Sequence, residues 1–401
     1  MVPPSVLASA SNAAPAVLVA GLGAAALAAI LTRILVVAGH RAGALDSAGA
    51  AGHAKELRRV PNVGGVAIAA TVALPLAAIL LLDRAVGGEE LARRLVESGR
   101  LDALVPSALR LPDTARQAFW ILASMLALHV LGLVDDRRAL GAWPKLLVQL
   151  ATAALAVTMA DVRVLTLLDA PAGGPWLSVA LSVAFIVAMT NALNFLDNMD
   201  GLSGGVAAIA AASLAVAASI AQQWATAGLL AVLAGALLGF LAFNFPWRAG
   251  SSARIFMGDG GSLPVGFMLA VLAMQITFTA PEDLEYALGT RWYGVLSPLV
   301  ILAVPLYDAF TVSVLRLVQG KSPMVGDQQH FSHRLVMRGL SRRGAVLLIC
   351  ALAATCGVAG LLLGTAAPWQ AVLIGIQVAV VIATIAALER PVLARMAEDR
   401  R

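Results

Sequence analysis

The stretch WLSVALSVAFIVAMTNALNFLDNMDGLSGGVAAIAAASLAVAASI, residues 176–220, holds two apolar runs separated by a short polar seam. Each run approaches the roughly 20 apolar residues that a helix needs to cross a hydrocarbon core. Between them Asn191, Asn194, Asp197 and Asp200 recur at every third position, ending at Gly201. Steps of three hold such side chains along one slowly drifting helical face, so they converge. Four amide and carboxylate oxygens on one stripe suit a hard cation or a sugar nucleotide; a structural polar seam inside a bundle is the plainer reading.

Outward from this stretch the apolar pattern repeats. Runs of spanning length lie at about 15–38, 63–82, 117–134, 146–160, 177–196, 202–222, 224–243, 262–280, 295–318, 344–366 and 369–388. Apolar residues make up 60% of the 401-residue chain and charged residues only 13%, about half the charged share of a soluble domain. The fold expected is all-α: a single polytopic membrane bundle of ten or eleven transmembrane helices, without internal repeats. Abundant Ala and Gly permit close helix packing. Cys350 and Cys356 share one apolar run and read as buried thiols, since neither a disulfide framework nor a zinc site has this spacing. No basic segment precedes the first apolar run, so it reads as a retained span, not a cleaved signal.

Lys and Arg set the orientation. With eleven spans, eighteen of the 28 basic residues fall on one face and eight on the other, six of these in the loop 83–116. The positive-inside rule makes the richer face cytoplasmic and puts the N-terminus outside. The loop 83–116 carries Leu91, Leu95 and Leu101, which suit a short amphipathic surface helix or a solvated spacer. A net charge of +5, spread over many short loops, reads as membrane anchoring; no nucleic-acid binding is expected.

Five polar clusters fall on the cytoplasmic side, although different residues fixed that side. The first is His53, Lys55, Arg58 and Arg59 followed by PNVGG at 61–65, either a phosphate-facing loop or a basic juxtamembrane anchor. Asp135 and Asp136 end the third span ahead of Arg137 and Arg138. Adjacent acids at a helix C-terminus repel each other and oppose its dipole, so they need a cation, a donor or those two arginines. The seam 191–201 is the third cluster. The fourth, RIFMGDGGS at 254–262, places Asp259 among small residues just before a span, within reach of a phosphate-bridging metal or simply in a Gly-rich turn. The fifth, HFSHRL at 330–335, offers donors to a diphosphate, or to anionic lipid headgroups.

Together PNVGG (61–65), DD (135–136), NALNFLDNMDG (191–201), FMGDGGS (256–262) and HFSHRL (330–335) resemble the polyprenyl-phosphate N-acetylhexosamine-1-phosphate transferases of glycosyl transferase family 4, across roughly residues 50 to 345. Such enzymes pass a sugar 1-phosphate from a UDP-sugar to a polyprenyl phosphate and release UMP, with Mg²⁺ (Mn²⁺ as a substitute). HFSH and DNMDG are closer to the N-acetylglucosamine-1-phosphate branch, which initiates cell-envelope polysaccharides, than to the phospho-N-acetylmuramoyl-pentapeptide branch; Asn62 stands where the former commonly has Arg. By this resemblance Asp259 and Asn194 would bind the metal. Asp135, Asp136, Asp197, Asp200, His330 and His333 would be catalytic, and Lys55, Arg58, Asn191, Asn194, Arg254 and Arg334 would bind substrate. The implied partners are UDP-N-acetylhexosamine, polyprenyl phosphate and the lipid bilayer of a bacterial inner membrane; a homodimer is compatible. A transporter, the rival class, would carry ionisable groups at mid-span; here they gather at span ends on one side, and Arg33 is the only basic residue well inside an expected span, near its cytoplasmic end. A CDP-alcohol phosphotransferase would need a DG-x-x-AR motif, and Asp200-Gly201 is followed by Leu-Ser-Gly-Gly.

Overall fold

A computed structural model describes residues 4–41, 60–98, 105–109, 111–248, 250–276, 292–320 and 330–398. The main elements are all helices. They begin with α1 (Pro4–Arg41), α2 (Gly64–Ala85), α3 (Gly88–Ser98), α4 (Val105–Leu109) and α5 (Leu111–Arg137). Next come α6 (Ala142–Met159), α7 (Trp176–Leu196), α8 (Leu202–Ile220), α9 (Trp224–Asn244) and α10 (Asp259–Gln275). The chain continues through α11 (Ser297–Ile301), α12 (Ala303–Val318), α13 (Phe331–Met337), α14 (Arg342–Leu363) and α15 (Pro368–Glu398).

Each of the eleven apolar runs becomes helical, but they do not make eleven regular spans. Among the described residues nine helices are long and apolar enough to cross a bilayer, or ten if α11 and α12 count as one broken span. The eighth run departs from expectation because α10 is only 17 residues long, about 25 Å against a hydrocarbon core of about 30 Å. It is the centre of the bundle: every residue from Gly260 to Met274 is buried. The ninth run bends by 71° between α11 and α12. Pro305 sits at the start of α12, so the carbonyl of Ile301 loses its helical amide partner and meets the proline ring.

Small residues set the closest approaches. A Cβ on Gly235 would collide with the carbonyl of Gly21, and one on Gly239 with that of Ala25, so α1 lies directly on α9. In the loop 83–116 the expected amphipathic segment is α3, with Glu90 accepting hydrogen bonds from Arg94 at 2.7 Å and Arg93 at 2.6 Å. Those guanidinium donors, Arg94 first, hold the Glu90 carboxyl below the usual range.

Candidate active site

The site is built around the start of α10. Gly258 precedes the helix with φ +69°, a left-handed conformation that disfavours side chains. A Cβ there would also strike Asn62 Oδ1 and Asp136 Oδ2. The first amides of a helix have no partner within it; here Asp259 N and Gly260 N both donate to the Asp136 carboxylate at 3.1 Å. Asn62 Nδ2 donates to the same carboxylate at 3.1 Å. Asp136 therefore caps α10 from the end of α5, where its charge also suits the positive end of the helix dipole.

Its neighbour Asp135 faces another way. Asp135 Oδ2 accepts from Lys145 Nζ at 3.0 Å and Oδ1 from Leu140 N at 2.8 Å. The same Lys145 ammonium forms an ion pair with Asp259 Oδ2. One cation at the start of α6 thus holds two carboxylates that would otherwise repel. Asp259 Oδ1 accepts from Asn194 Nδ2 at 2.8 Å, and that amide also reaches Ser262 Oγ at 3.0 Å. The side chains of Asp135, Lys145 and Asp259 keep 16%, 19% and 23% of their surface exposed, so the trio is sheltered yet open on one side.

The polar seam distributes its members over several elements. Asn191 exchanges hydrogen bonds with Gln149 of α6, the shorter one 2.6 Å. Asn194 serves Asp259, as above, and Asn198 Oδ1 accepts from Ser332 Oγ in the fifth cluster. Asp200 Oδ2 accepts from Ala253 N at 3.0 Å, fixing the loop that leads to Asp259. Asp197 follows the last turn of α7 and is half-buried. Arg254 is exposed on the same loop.

The first loop joins through its backbone. Phe256 N donates to Pro61 O at 2.9 Å, and Gly64 N and Gly65 N donate to Phe256 O and Met257 O at 2.9 and 3.0 Å. The glycines of this loop serve packing: Gly65 lets α2 approach Gly260 and Gly261, which a Cβ would strike. Lys55 and Arg58 lie outside the described residues.

The fifth cluster rests on Asp308 of α12, which is wholly buried. Its Oδ2 accepts from His330 Nδ1 at 3.0 Å and its Oδ1 from Phe331 N at 2.7 Å. His330 is 5% exposed and stacks near Phe195, whose ring also carries the Arg316 guanidinium 5.2 Å from its centroid. Arg334 is fully buried beside Thr311, and His333 is half-buried. The described parts of all five clusters are therefore linked by hydrogen bonds into one site. Lys145, Gln149, Asp308 and Arg316 belong to it although the sequence reading did not place them there. Asp308 is an ionisable group inside the ninth apolar run that the sequence reading did not weigh.

Among the described residues no three His, Cys, Asp or Glu side chains are grouped as metal ligands. Mg²⁺ commonly takes one or two carboxylates and completes its shell with substrate phosphates and water. Asp259, Asn194 and Asp135 supply hard oxygens of that kind around a point that already stabilises positive charge, so the donor set fits.

Residues 118–277, which carry the second, third and fourth clusters, match glycosyl transferase family 4. Over this stretch, less than half of its length, the chain is similar to that family. It is 31% identical over 249 residues to a probable undecaprenyl-phosphate N-acetylglucosaminyl 1-phosphate transferase of Bacillus subtilis, covering 61% of this chain and 65% of that one. A decaprenyl-phosphate N-acetylglucosaminephosphotransferase of Mycolicibacterium smegmatis is 36% identical over 239 residues, 55% of this chain and 56% of its own length. An undecaprenyl-phosphate alpha-N-acetylglucosaminyl 1-phosphate transferase of Escherichia coli is 28% identical over 182 residues, 45% of this chain and 47% of its own. The matched segments thus span less than two thirds of these family members.

Proposed function

We propose that the chain transfers N-acetylglucosamine 1-phosphate from UDP-N-acetylglucosamine to a polyprenyl phosphate at the cytoplasmic face of a bacterial plasma membrane. The observation that carries this reading is the Asp135–Lys145–Asp259–Asn194 cluster, capped by Asp136 and joined to the histidine loop. It is a polar phosphate-handling site at the edge of an apolar bundle, in a chain whose relatives bear the names given above.

In the transfer, an oxygen of the lipid phosphate attacks the sugar-bearing phosphorus of the UDP-sugar. The bond from that phosphorus to the bridging oxygen breaks, and the oxygen leaves on UMP. There is little covalent work for the protein, so positioning and charge stabilisation dominate. Asp259, Asn194 and Asp135 would hold Mg²⁺, which when bound neutralises the diphosphate charge. Lys145 keeps Asp135 and Asp259 aimed at one point. A phosphomonoester is mostly dianionic at neutral pH, so Asp135 serves to orient the attacking phosphate more than to deprotonate it. His330, oriented by Asp308 through Nδ1, would bind the diphosphate through Nε2–H in its doubly protonated form, which the Asp308 carboxylate supports, with Arg334 and His333 on the same short helix. The apolar flanks of the bundle receive the polyprenyl chain.

The test is UMP release by the purified chain in nanodiscs, given undecaprenyl phosphate and a panel of UDP-N-acetylhexosamines with or without Mg²⁺. Release is expected with UDP-N-acetylglucosamine and Mg²⁺, falling about 100-fold or more in Asp259→Asn. No release with any donor, or release that Asp259→Asn leaves intact, overturns the proposal.

A further inference from the structure

His129 is a buried titratable residue to which the proposed mechanism gives no role. It lies in α5 two turns before Asp136, is 8% exposed, and directs Nδ1 at the carbonyl oxygen of Gly260 in the first turn of α10. A carbonyl only accepts, so Nδ1 carries the proton and donates. The reason that carbonyl is open to an outside donor lies four residues on. In an α-helix the oxygen of residue 260 accepts from the amide of residue 264, and residue 264 is proline. Pro264 has no amide hydrogen, and its ring crowds the same carbonyl. In a bundle interior where no solvent substitutes, a carbonyl without a donor is costly. His129 supplies the donor that Pro264 withholds.

The same face of α5 meets this turn at two further points. Gly132, three residues on, lies where a Cβ would collide with the Asp259 carbonyl, and Asp136 receives the Asp259 and Gly260 amides. His129, Gly132 and Asp136 follow helical spacing, so one stripe of α5 grips the backbone of 259–260 by a donor, a close approach and an acceptor. We propose that His129 is a positioning residue: by bonding the Gly260 carbonyl it fixes the turn from which Asp259 projects between Lys145 and Asn194. This rests on the role given to Asp259 above. His129 itself touches neither substrate nor metal.

The experiment uses the full chain in nanodiscs, comparing His129→Leu, His129→Asn, Pro264→Ala and the His129→Leu/Pro264→Ala double variant. Asparagine at 129 sets an amide donor near the place of imidazole Nδ1, while Pro264→Ala restores the amide that Gly260 O lacks. His129→Leu is expected to lower kcat for UMP release about 10-fold or more with a smaller change in KM, as a displaced carboxylate would. His129→Asn should keep most of the activity, and Pro264→Ala should recover most of what His129→Leu lost. If His129→Asn fares no better than His129→Leu, or the double variant stays as slow as His129→Leu in folded protein, the proposal is wrong. Should Pro264→Ala not fold, the comparison of His129→Asn with His129→Leu decides. A wild type that releases no UMP sinks the transferase reading instead. The unfolding midpoints still test the bond, expected lower for His129→Leu than for His129→Asn and restored by Pro264→Ala; equal midpoints would overturn it.

Discussion

At the residue scale, the site works by dividing labour between adjacent or paired groups. Asp135 and Asp136 are neighbours, yet one faces Lys145 and the other caps a helix. Lys145→Met leaves Asp135 and Asp259 without their shared donor, and about 1–3 kcal/mol of stability should be lost for these sheltered but not fully buried groups; chemical denaturation of the purified variant checks this. The loss should shrink when Mg²⁺ is added, since the ion takes over the neutralising role. Asp308→Asn retains an oxygen for Phe331 N but turns an amide towards His330 Nδ1, where the aspartate had accepted a proton. The imidazole then loses the carboxylate that supports its doubly protonated form, and with it the charged Nε2–H that would meet a diphosphate. The expected outcome is a kcat about 10-fold or more below wild type with the fold retained, whereas Asp308→Ala should also lower the unfolding midpoint. Much of this was legible in the sequence: the acids and amides of the seam, and Asp259, were singled out by type and spacing. Asp308 was not, because a lone acid inside an apolar run was absorbed into the span count. Its rarity in such a setting was the available signal. Lys145 was counted only as an orienting charge, since its pairing with residues 10 and 114 positions away depends on tertiary contact.

At the element scale, prolines and glycines decide where helices stop, bend and touch. The apolar runs located every long helix of the bundle because length and hydropathy alone drive them into lipid. They did not show that the run from 262 would yield a 17-residue central helix, nor that the run from 295 would break. Pro264 and Pro305 marked both irregularities, but a proline inside an apolar run is compatible with an intact membrane helix when neighbours satisfy the freed carbonyl. His129 does so for α10, whereas α11 and α12 separate at a bend. Glycines give a sharper prediction. Gly132→Ala would drive a methyl group into the Asp259 backbone, costing about 1–3 kcal/mol by overpacking and displacing the turn that carries Asp259. Gly228→Ala in α9 meets nothing within 4 Å and should be neutral or stabilising by about 0.5–1 kcal/mol, since alanine is the better helix former. Unfolding midpoints and UMP release measured side by side should separate the two; equal behaviour would mean that the α5–α10 approach does not hold the site.

At the scale of the whole molecule, the antiparallel course of the bundle collects the chemistry at one end. The C-terminal ends of α5, α7 and α9 and the N-terminal ends of α2, α6, α8 and α10 all meet there, whereas α3 and α4 lie at the opposite end, before α5 begins. The N-terminal ends of three of these helices carry motif glycines, but their first amides are already bonded, those of α10 to Asp136 and those of α2 to the Phe256 and Met257 carbonyls, so side chains rather than free helix ends face the site. Among the described residues Arg137, Arg138, Arg254, Arg342 and Arg343 lie towards this end, so the positive-inside rule would assign the same side that the proposed use of a UDP-sugar requires. Arg138 and Glu97 test this: both are exposed and they belong to opposite ends of the bundle. In a chain with Cys350 and Cys356 replaced by alanine, Glu97→Cys should react with a membrane-impermeant maleimide in intact cells. Arg138→Cys should react only after permeabilisation. The reverse pattern would put the site on the outer face, away from the nucleotide pool, and the transfer proposed above could not then draw on UDP-sugars.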